Sequence, residues 1–155
     1  GFLYPALYRA GFANQPTAES KNDGLTLKDL YIAASARCVP PDNKPTPEEL
    51  NNCQPYLARE FEILKPKVIV CLGRVAFERI LKIYGIRNSQ FKFAHGALHK
   101  LNTVSLNTDL LNTESWLLCS YHPSQQNTST GKLTAKMFDE IWAKAKELVK
   151  DEQVN

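Results

Sequence analysis

Long apolar runs are missing from this chain, and their absence argues against a protein embedded in a membrane. No hydrophobic stretch approaches the roughly 20 residues that a transmembrane helix needs, and the first residues lack the basic-then-apolar layout of a secretion signal. No internal repeat or low-complexity tract is present. Hydrophobic residues make up 43% of the 155 residues and charged residues 23%, which is typical of one globular domain, predicted to span 1–155.

The common nucleotide-binding and hydrolase motifs are also absent. The chain has no phosphate loop of the form GxxxxGK(S/T), no GxGxxG and no GxSxG, so nucleotide-cofactor and nucleophile-elbow enzymes are disfavoured. The net charge is +3, but the Lys and Arg residues are scattered rather than clustered. That charge permits nucleic-acid binding without indicating it.

Cysteine is scarce, with four residues in the chain. Cys71 and Cys119 stand in apolar stretches and are predicted to be buried thiols in strands, which indicates a reducing, cytoplasmic compartment. Cys38 and Cys53 are separated by fourteen residues. From spacing alone, two separate buried thiols are the commoner arrangement. The alternative is that the Pro-rich loop after Cys38 brings both sulphurs to one point, which supplies half of a metal site.

Strand and helix patterns alternate along the chain. One helix is predicted to begin at Pro47 behind the cap Thr46, with Glu49 completing a capping box, and to end before Pro66. The other predicted helices are 2–11, 75–84 and 133–150, with Met137, Ile141, Ala145 and Leu148 inward in the last one. The predicted strands are 30–36, 67–72 and 116–120, while 121–130 is predicted as a loop and 85–114 is left without assignment.

This alternation predicts an α/β fold with a parallel sheet and helices on both faces. Active sites in such sheets lie beyond the carboxyl ends of the strands. Three polar segments fall there, at 37–43, 73–74 and 121–124. A cleft lined by Asn43, His122 and Asn127 is therefore predicted.

The histidines have two interpretations each. His122 follows a predicted buried strand and precedes Pro123, so it could point into the cleft, although a lone histidine is more often a hydrogen-bonded structural residue. The same two interpretations apply to His95, and His99 is predicted to lie on the surface. Asn43 is either a pocket amide or a turn residue. The residues alone do not name a reaction.

At these positions the chain resembles the uracil-DNA glycosylase superfamily. The segments 31–49, 53–57 and 67–73 are similar to its iron–sulphur branches. The closing motif, His122-Pro123-Ser124 followed by Asn127-Thr128 and by 130–134, resembles the fifth family, the B-type enzymes. The likeness covers nearly the whole chain.

The resemblance implies a three-layer α/β/α sandwich around a short, four-stranded parallel sheet. It implies a [4Fe-4S] cluster with Cys38 and Cys53 as two of its four ligands, which reverses the preference for separate thiols. It also implies a monomeric enzyme that hydrolyses the N-glycosidic bond of uracil and other deaminated bases in DNA and leaves an abasic site. The B-type enzymes accept a broad range of such bases.

The resemblance also implies roles for individual residues. His122 would donate a hydrogen bond to the departing base, and Asn43 would bind the base or the water. Ser124, Asn127, Thr128 and His95 would contact the DNA or the base. The rival hypotheses are a non-catalytic iron–sulphur module that binds nucleic acid and an unrelated α/β redox protein.

The chain departs from the family pattern in two ways. The fourth family carries an Asn in the strand before the cysteine that matches Cys38. This chain has Ala33 and Ala34 in that strand, as B-type enzymes do. A pocket without that amide is expected to discriminate less. The family's first motif, with one strand, an Asp that positions water and two cluster cysteines, has no counterpart here, so the chain is expected to lack an N-terminal strand and motif.

Overall fold

The computed structural model describes residues 1–33, 46–102 and 114–154. Eight elements follow one another along this part of the chain. The helices are α1 (Leu3–Ala10), α2 (Pro47–Leu64), α3 (Arg74–Ile83), α4 (Gln125–Ser129) and α5 (Ala135–Val154). The strands are β1 (Val68–Leu72), β2 (Leu98–Asn102) and β3 (Glu114–Ser120).

The described sheet has three strands in the order β1-β3-β2. β1 and β3 run parallel with Val68 opposite Trp116 and Leu72 opposite Ser120, which confirms the predicted parallel pair. β2 pairs antiparallel with β3, with Leu98 opposite Leu118. The expectation of an all-parallel sheet is therefore wrong for the described strands. β2 was not predicted because its five residues include His99, Lys100 and Asn102, which weaken the apolar signal.

The strand predicted over 30–36 is not found where the structure describes it. Residues 30–33 have no regular secondary structure, and 34–36 lie outside the described residues. The apolar character of 30–33 has another cause, because Leu30 and Ala33 pack against hydrophobic clusters while remaining half-buried.

Helices cover both faces of the sheet, as predicted for a three-layer sandwich. One hydrophobic cluster joins α2 and α3 to the side chains of one strand face, including Ile69, Cys71, Leu117 and Cys119. The other cluster joins α1 and α5 to the opposite face, including Val70 and Leu118. Alternate strand residues thus enter different layers, because successive side chains of a strand point to opposite faces.

The predicted helix signals correspond to real termini. The Thr46 hydroxyl accepts a hydrogen bond from the Glu49 N–H and the Glu49 carboxylate reaches back to Thr46, so the capping box is formed. In α5, Ile141, Ala145 and Leu148 are buried as predicted, whereas Met137 is half-buried. The larger side chains of this face are Phe138 and Trp142, one position further along.

The N-terminal helix α1 is fastened to α5. The Arg9 guanidinium donates three hydrogen bonds to the Asp139 carboxylate, at 2.9, 3.1 and 3.1 Å, and the Lys146 ammonium donates to the Ala10 carbonyl at 2.8 Å. In the described part of the chain, no helix is both long and apolar enough to cross a bilayer.

The carboxyl ends of β1 and β3 lie side by side. Leu72 is the register partner of Ser120, and the Gly73 N–H donates to the Ser120 carbonyl at 2.8 Å. The segments that begin at Gly73 and Tyr121 therefore leave the sheet together, at the edge where parallel sheets place their binding sites.

Candidate active site

His122 lies two residues beyond β3, the central strand of the described sheet. β3 is buried along Leu117, Leu118 and Cys119, so the strand that delivers the histidine is held from both faces. The buried Ser120 hydroxyl donates to the Tyr121 carbonyl at 2.8 Å and fixes the turn off the strand. The His122 side chain is exposed, and a ligand can reach it.

Gly73 forms the wall against which His122 rests. Its backbone has φ 96° and ψ 164°, a region that is essentially restricted to glycine. A Cβ atom at this position would lie 3.2 Å from the His122 Cβ. The backbone angle favours glycine here and the close approach leaves little room for a side chain, so Gly73 lies against His122 as part of the 73–74 segment predicted at the strand ends.

His95 contacts the residue that precedes His122. The Tyr121 N–H donates to the His95 Nδ1 at 3.0 Å, and the two rings are 4.8 Å apart between centroids. Burial lowers the pKa of His95, and the Met137 carbonyl and the Glu140 carboxylate oppose that effect. His95 is therefore a neutral imidazole at neutral pH, with its proton on Nε2.

Asn127 contacts the other side of His122. Its side-chain amide donates to the His122 carbonyl at 2.9 Å. The structure thus brings together three of the predicted site residues, with His95 and Asn127 holding the backbone on either side of His122.

The loop predicted over 121–130 contains the short helix α4. Ser124 is its N-cap, because the Ser124 hydroxyl accepts from the Asn127 N–H at 3.2 Å. The Thr128 hydroxyl donates to the Gln125 carbonyl at 3.3 Å. Helix propensity was not evident because Ser, Asn and Thr favour caps and turns. The exposed side chains of α4 are Gln125, Gln126 and Ser129, and the first two lie within the 124–128 segment for which the resemblance implies contact with DNA.

Two cations border this part of the molecule, and both lie in segments that the sequence analysis named, 73–74 and 130–134, without assigning a role to either cation. The Arg74 guanidinium lies over the Phe93 ring at 5.3 Å, and the Lys132 ammonium lies over the Tyr121 ring at 4.9 Å. Arg74 directly follows Gly73, and Tyr121 directly precedes His122. Contacts of this kind hold a long basic side chain in place.

The electrostatics of His122 favour its uncharged form. Burial of the imidazole by surrounding protein lowers its pKa below the ordinary histidine value of 6.5, although the side chain as a whole is exposed. At neutral pH the ring therefore carries one N–H and one acceptor nitrogen. It can donate one hydrogen bond to an oxygen on a ligand.

His99 is less exposed than predicted. Its ring stacks on Phe91 with centroids 4.6 Å apart, and its Nε2 lies 3.0 Å from the Lys92 carbonyl oxygen. It is half-buried. Its position in the unpredicted strand β2 explains the difference.

Two predicted site residues, Asn43 and Cys38, lie outside the described residues. Cys53 lies in the second turn of α2, is half-buried and is disulfide-bonded. Cys71 and Cys119 are free and buried, as predicted, and face each other across β1 and β3. The hydrogen bond with Cys119 and burial raise the pKa of Cys71 well above its usual range, so its thiol is uncharged at neutral pH. Over 1–33, 46–102 and 114–154, no three His, Cys, Asp or Glu side chains are grouped to hold a metal ion.

Comparison with known proteins gives consistent matches over this fold. The family model of the Uracil DNA glycosylase superfamily matches residues 1–146. The chain is 43% identical over 148 residues to the type-5 uracil-DNA glycosylase of Thermus thermophilus, covering 95% of this chain and 63% of that protein. It is 38% identical over 149 residues to the type-5 uracil-DNA glycosylase of Mycobacterium tuberculosis, covering 94% of this chain and 52% of that protein.

A more distant match is the type-4 uracil-DNA glycosylase of Archaeoglobus fulgidus. It is 38% identical over 79 residues, which cover 50% of this chain and 40% of that protein. The chain spans 52 to 63% of the length of the type-5 relatives named above.

Proposed function

The chain belongs to the uracil-DNA glycosylase superfamily, and on this premise we propose that the full-length protein hydrolyses the N-glycosidic bond of uracil and other deaminated bases in DNA. The products are the free base and an abasic site. The observation that most supports this proposal is the 43% identity to the type-5 enzyme of Thermus thermophilus, in an alignment that covers 95% of the chain. We further propose that the protein acts as a monomer in the cytoplasm.

The reaction makes a specific demand on the site. The bond between the base nitrogen and C1′ of the sugar breaks, a water oxygen bonds to C1′, and the bonding electrons leave with the base. The sugar acquires oxocarbenium character and the base becomes negative in the transition state. The base must first leave the helical stack, at a cost of a few kcal/mol that is smallest for mispaired bases.

His122 is suited to stabilise the departing base. It is held at the carboxyl end of the central described strand, it is exposed, and its lowered pKa leaves it with one N–H to donate. A donor that is already in place needs no reorganisation when charge develops on a base oxygen. We therefore assign to His122 the hydrogen bond to the leaving base.

The remaining assignments follow the resemblance. We propose that Asn43 hydrogen-bonds to the base or to the attacking water, and that α4 meets the DNA groove. The exposed amides of Gln125 and Gln126 and the Ser124, Asn127 and Thr128 segment carry that contact. Arg74 and Lys132 are available for the phosphate backbone, where a sequence-independent contact is expected.

We also propose a [4Fe-4S] cluster with Cys38 and Cys53 among its ligands. Cys53 has the sulphur donor that such clusters use and is half-buried. Because its sulphur stands in a disulfide here, a thiol reductant of the cell must first supply two electrons to cleave that bond into two thiolates, the form that iron binds. The cluster would be structural, fastening the Pro-rich loop that carries Asn43 to α2.

Iron analysis tests the cluster. In the full-length protein, Cys38→Ala is expected to lose most of the bound iron and the associated visible absorption, because a cluster site loses one of its four thiolates. Cys119→Ala is the matched control, since its thiol is buried in the sheet and free. Equal iron content in the two variants would remove Cys38 from the ligand set.

An oligonucleotide assay tests the activity itself. Full-length protein is incubated with a duplex that contains one uracil opposite guanine, followed by alkali treatment, which cleaves the strand only at abasic sites. Cleavage at the uracil position is expected. Binding to the duplex without cleavage would favour the non-catalytic module, and neither binding nor cleavage would favour an unrelated redox protein.

A further inference from the structure

His95 contacts Tyr121, the residue that precedes His122, to which we assign the hydrogen bond to the leaving base. His95 stands on a segment tied to the sheet, because the Gly96 N–H donates to the Cys119 carbonyl at 2.8 Å and the Cys119 N–H donates to the Ala97 carbonyl at 2.9 Å. The imidazole is therefore carried by backbone that is hydrogen-bonded to β3. From that support its Nδ1 accepts the Tyr121 N–H at 3.0 Å.

We propose that His95 is a positioning residue whose Nδ1 lone pair holds the Tyr121 N–H and so fixes the direction in which His122 leaves the sheet. This inference rests on the proposed role of His122. It differs from a direct contact with base or DNA, because the Nδ1 atom is already occupied by the protein's own backbone.

The backbone on both sides of His122 is held by side chains. The Tyr121 N–H is bound by His95, and the His122 carbonyl is bound by the Asn127 amide at 2.9 Å. Loss of the first bond leaves a half-buried N–H without its acceptor, and the segment can then rotate about the Tyr121 backbone. Misplacement of a catalytic group by about 1 Å can cost on the order of 10²-fold in rate.

The hydrogen bond also selects one protonation state. Because Tyr121 supplies the proton of this hydrogen bond, the His95 Nδ1 must be unprotonated. A proton added to Nδ1 would place two N–H groups against each other with no acceptor between them. Among the described residues, the Glu140 carboxylate on α5 favours protonation of His95, and the Lys132 ammonium lies over the Tyr121 ring, 4.9 Å from its centroid. Burial lowers the pKa of His95, in agreement with this arrangement.

Two substitutions of nearly equal shape separate positioning from packing. His95→Asn places a carbonyl oxygen close to where Nδ1 stood, so the acceptor is kept, whereas His95→Leu has the same branching without any acceptor. In single-turnover assays on uracil opposite guanine, we expect His95→Leu to be slowed about 10- to 100-fold and His95→Asn to stay within about threefold of the parent protein. Affinity for DNA is expected to change by less than about twofold in both variants, since His95 acts through Tyr121.

Equal losses of rate in the two variants would contradict the positioning role. So would a loss of DNA affinity with an unchanged rate constant, which would indicate that His95 contacts the DNA directly.

Amide exchange measured by NMR without DNA tests the same contact independently of activity. The Tyr121 amide is expected to be protected in the parent protein and in His95→Asn, and to exchange at least about tenfold faster in His95→Leu. In the parent protein alone, the protection is expected to fall as His95 becomes protonated at acid pH, so the test stands even if the Leu variant does not fold. An unprotected Tyr121 amide in the parent protein would overturn the inference. A protected amide in a protein without glycosylase activity would overturn only the proposed function.

Discussion

At the scale of single residues, the protonation of two histidines determines what the site can do. Burial lowers the pKa of both His95 and His122. The neutral form of His95 accepts the Tyr121 N–H, and the neutral form of His122 keeps one N–H for a ligand. The role that we propose for the site therefore rests on hydrogen bonds of two neutral rings, in which each nitrogen either donates or accepts.

These lowered pKa values predict a loss of stability in acid. In the unfolded chain both histidines take up protons near the ordinary value of 6.5, whereas the folded protein resists protonation until lower pH. The unfolded state therefore binds more protons in that window, and the free energy of unfolding falls as pH decreases from about 6.5 towards the folded-state pKa values. Urea unfolding at about pH 7.5 and about pH 5.5 measures the effect.

The matched control is the His95→Asn/His122→Asn double variant. It lacks both titrating rings and is expected to lose less stability than the parent protein over the same interval. An equal loss in the two proteins would show that other groups cause the acid sensitivity.

Substitution of Gly73 is expected to lower both the stability of the protein and its single-turnover rate. In Gly73→Ala the alanine must adopt a strained backbone conformation with φ 96°, and its Cβ lies 3.2 Å from the His122 Cβ. We expect the free energy of unfolding to fall by about 1–3 kcal/mol and the single-turnover rate to fall at least about tenfold, because His122 must move.

Gly85→Ala serves as the control for Gly73→Ala. Gly85 also has a positive φ, 70°, but a Cβ there meets no atom within 4 Å. This variant is expected to lose stability and to keep its rate constant. If Gly73→Ala lost stability without losing rate, the contact with His122 would be unimportant for catalysis.

At the scale of secondary-structure elements, the short helix α4 connects the site to the rest of the chain. The Ser124 cap and the Asn127 amide act in the same turn, since the Asn127 N–H is bound by Ser124 while its side chain holds His122. The Leu133 N–H then donates to the Asn127 carbonyl at 3.0 Å, and Leu133 is buried against α5. Through these contacts, α4 transmits the rigidity of α5 to the site.

Removal of the Ser124 cap is expected to lower both the free energy of unfolding and the single-turnover rate modestly. Ser124→Ala leaves the Asn127 N–H without its side-chain acceptor and should lower the free energy of unfolding by about 1 kcal/mol. The single-turnover rate should fall by only a few fold, because the Asn127 amide remains. Ser129→Ala, an exposed position on the same helix, is expected to change neither quantity. Equal stability of the two variants, measured by urea unfolding, would contradict the capping role.

At the scale of the whole molecule, the capping box and the parallel strand pair were confirmed, whereas the strand over 30–36 was wrong for its described residues. The capping box at Thr46 and Glu49 needed only a short-range pattern, and the parallel pair of β1 and β3 followed from the alternation of strands and helices. β2 and α4 could not be predicted in this way. β2 gains its stability from pairing with β3 rather than from its own apolar residues, and α4 is built from residues that favour turns.

The sequence predicted where His122 stands but not the contacts around it. The rule that sites lie beyond parallel strands predicted His122 at the carboxyl end of a strand, and the structure has it two residues beyond β3, while its role in a site stays a prediction. The hydrogen bond from Tyr121 to His95 joins residues 26 positions apart, and the wall formed by Gly73 joins β1 to β3. Such contacts depend on sheet register, which a single sequence does not reveal.

The most direct test of the central claim is the single-turnover rate of His122→Ala in the full-length protein, on DNA with uracil opposite guanine. Loss of one preorganised hydrogen-bond donor is expected to slow base release about 10²- to 10³-fold, or about 3–4 kcal/mol, with DNA affinity nearly unchanged. His99→Ala removes an imidazole that packs against Phe91 and is expected to keep the parent rate within about threefold. If His122→Ala also stayed within about threefold, equivalent to less than about 0.7 kcal/mol, His122 would be a structural residue and another group would have to stabilise the leaving base.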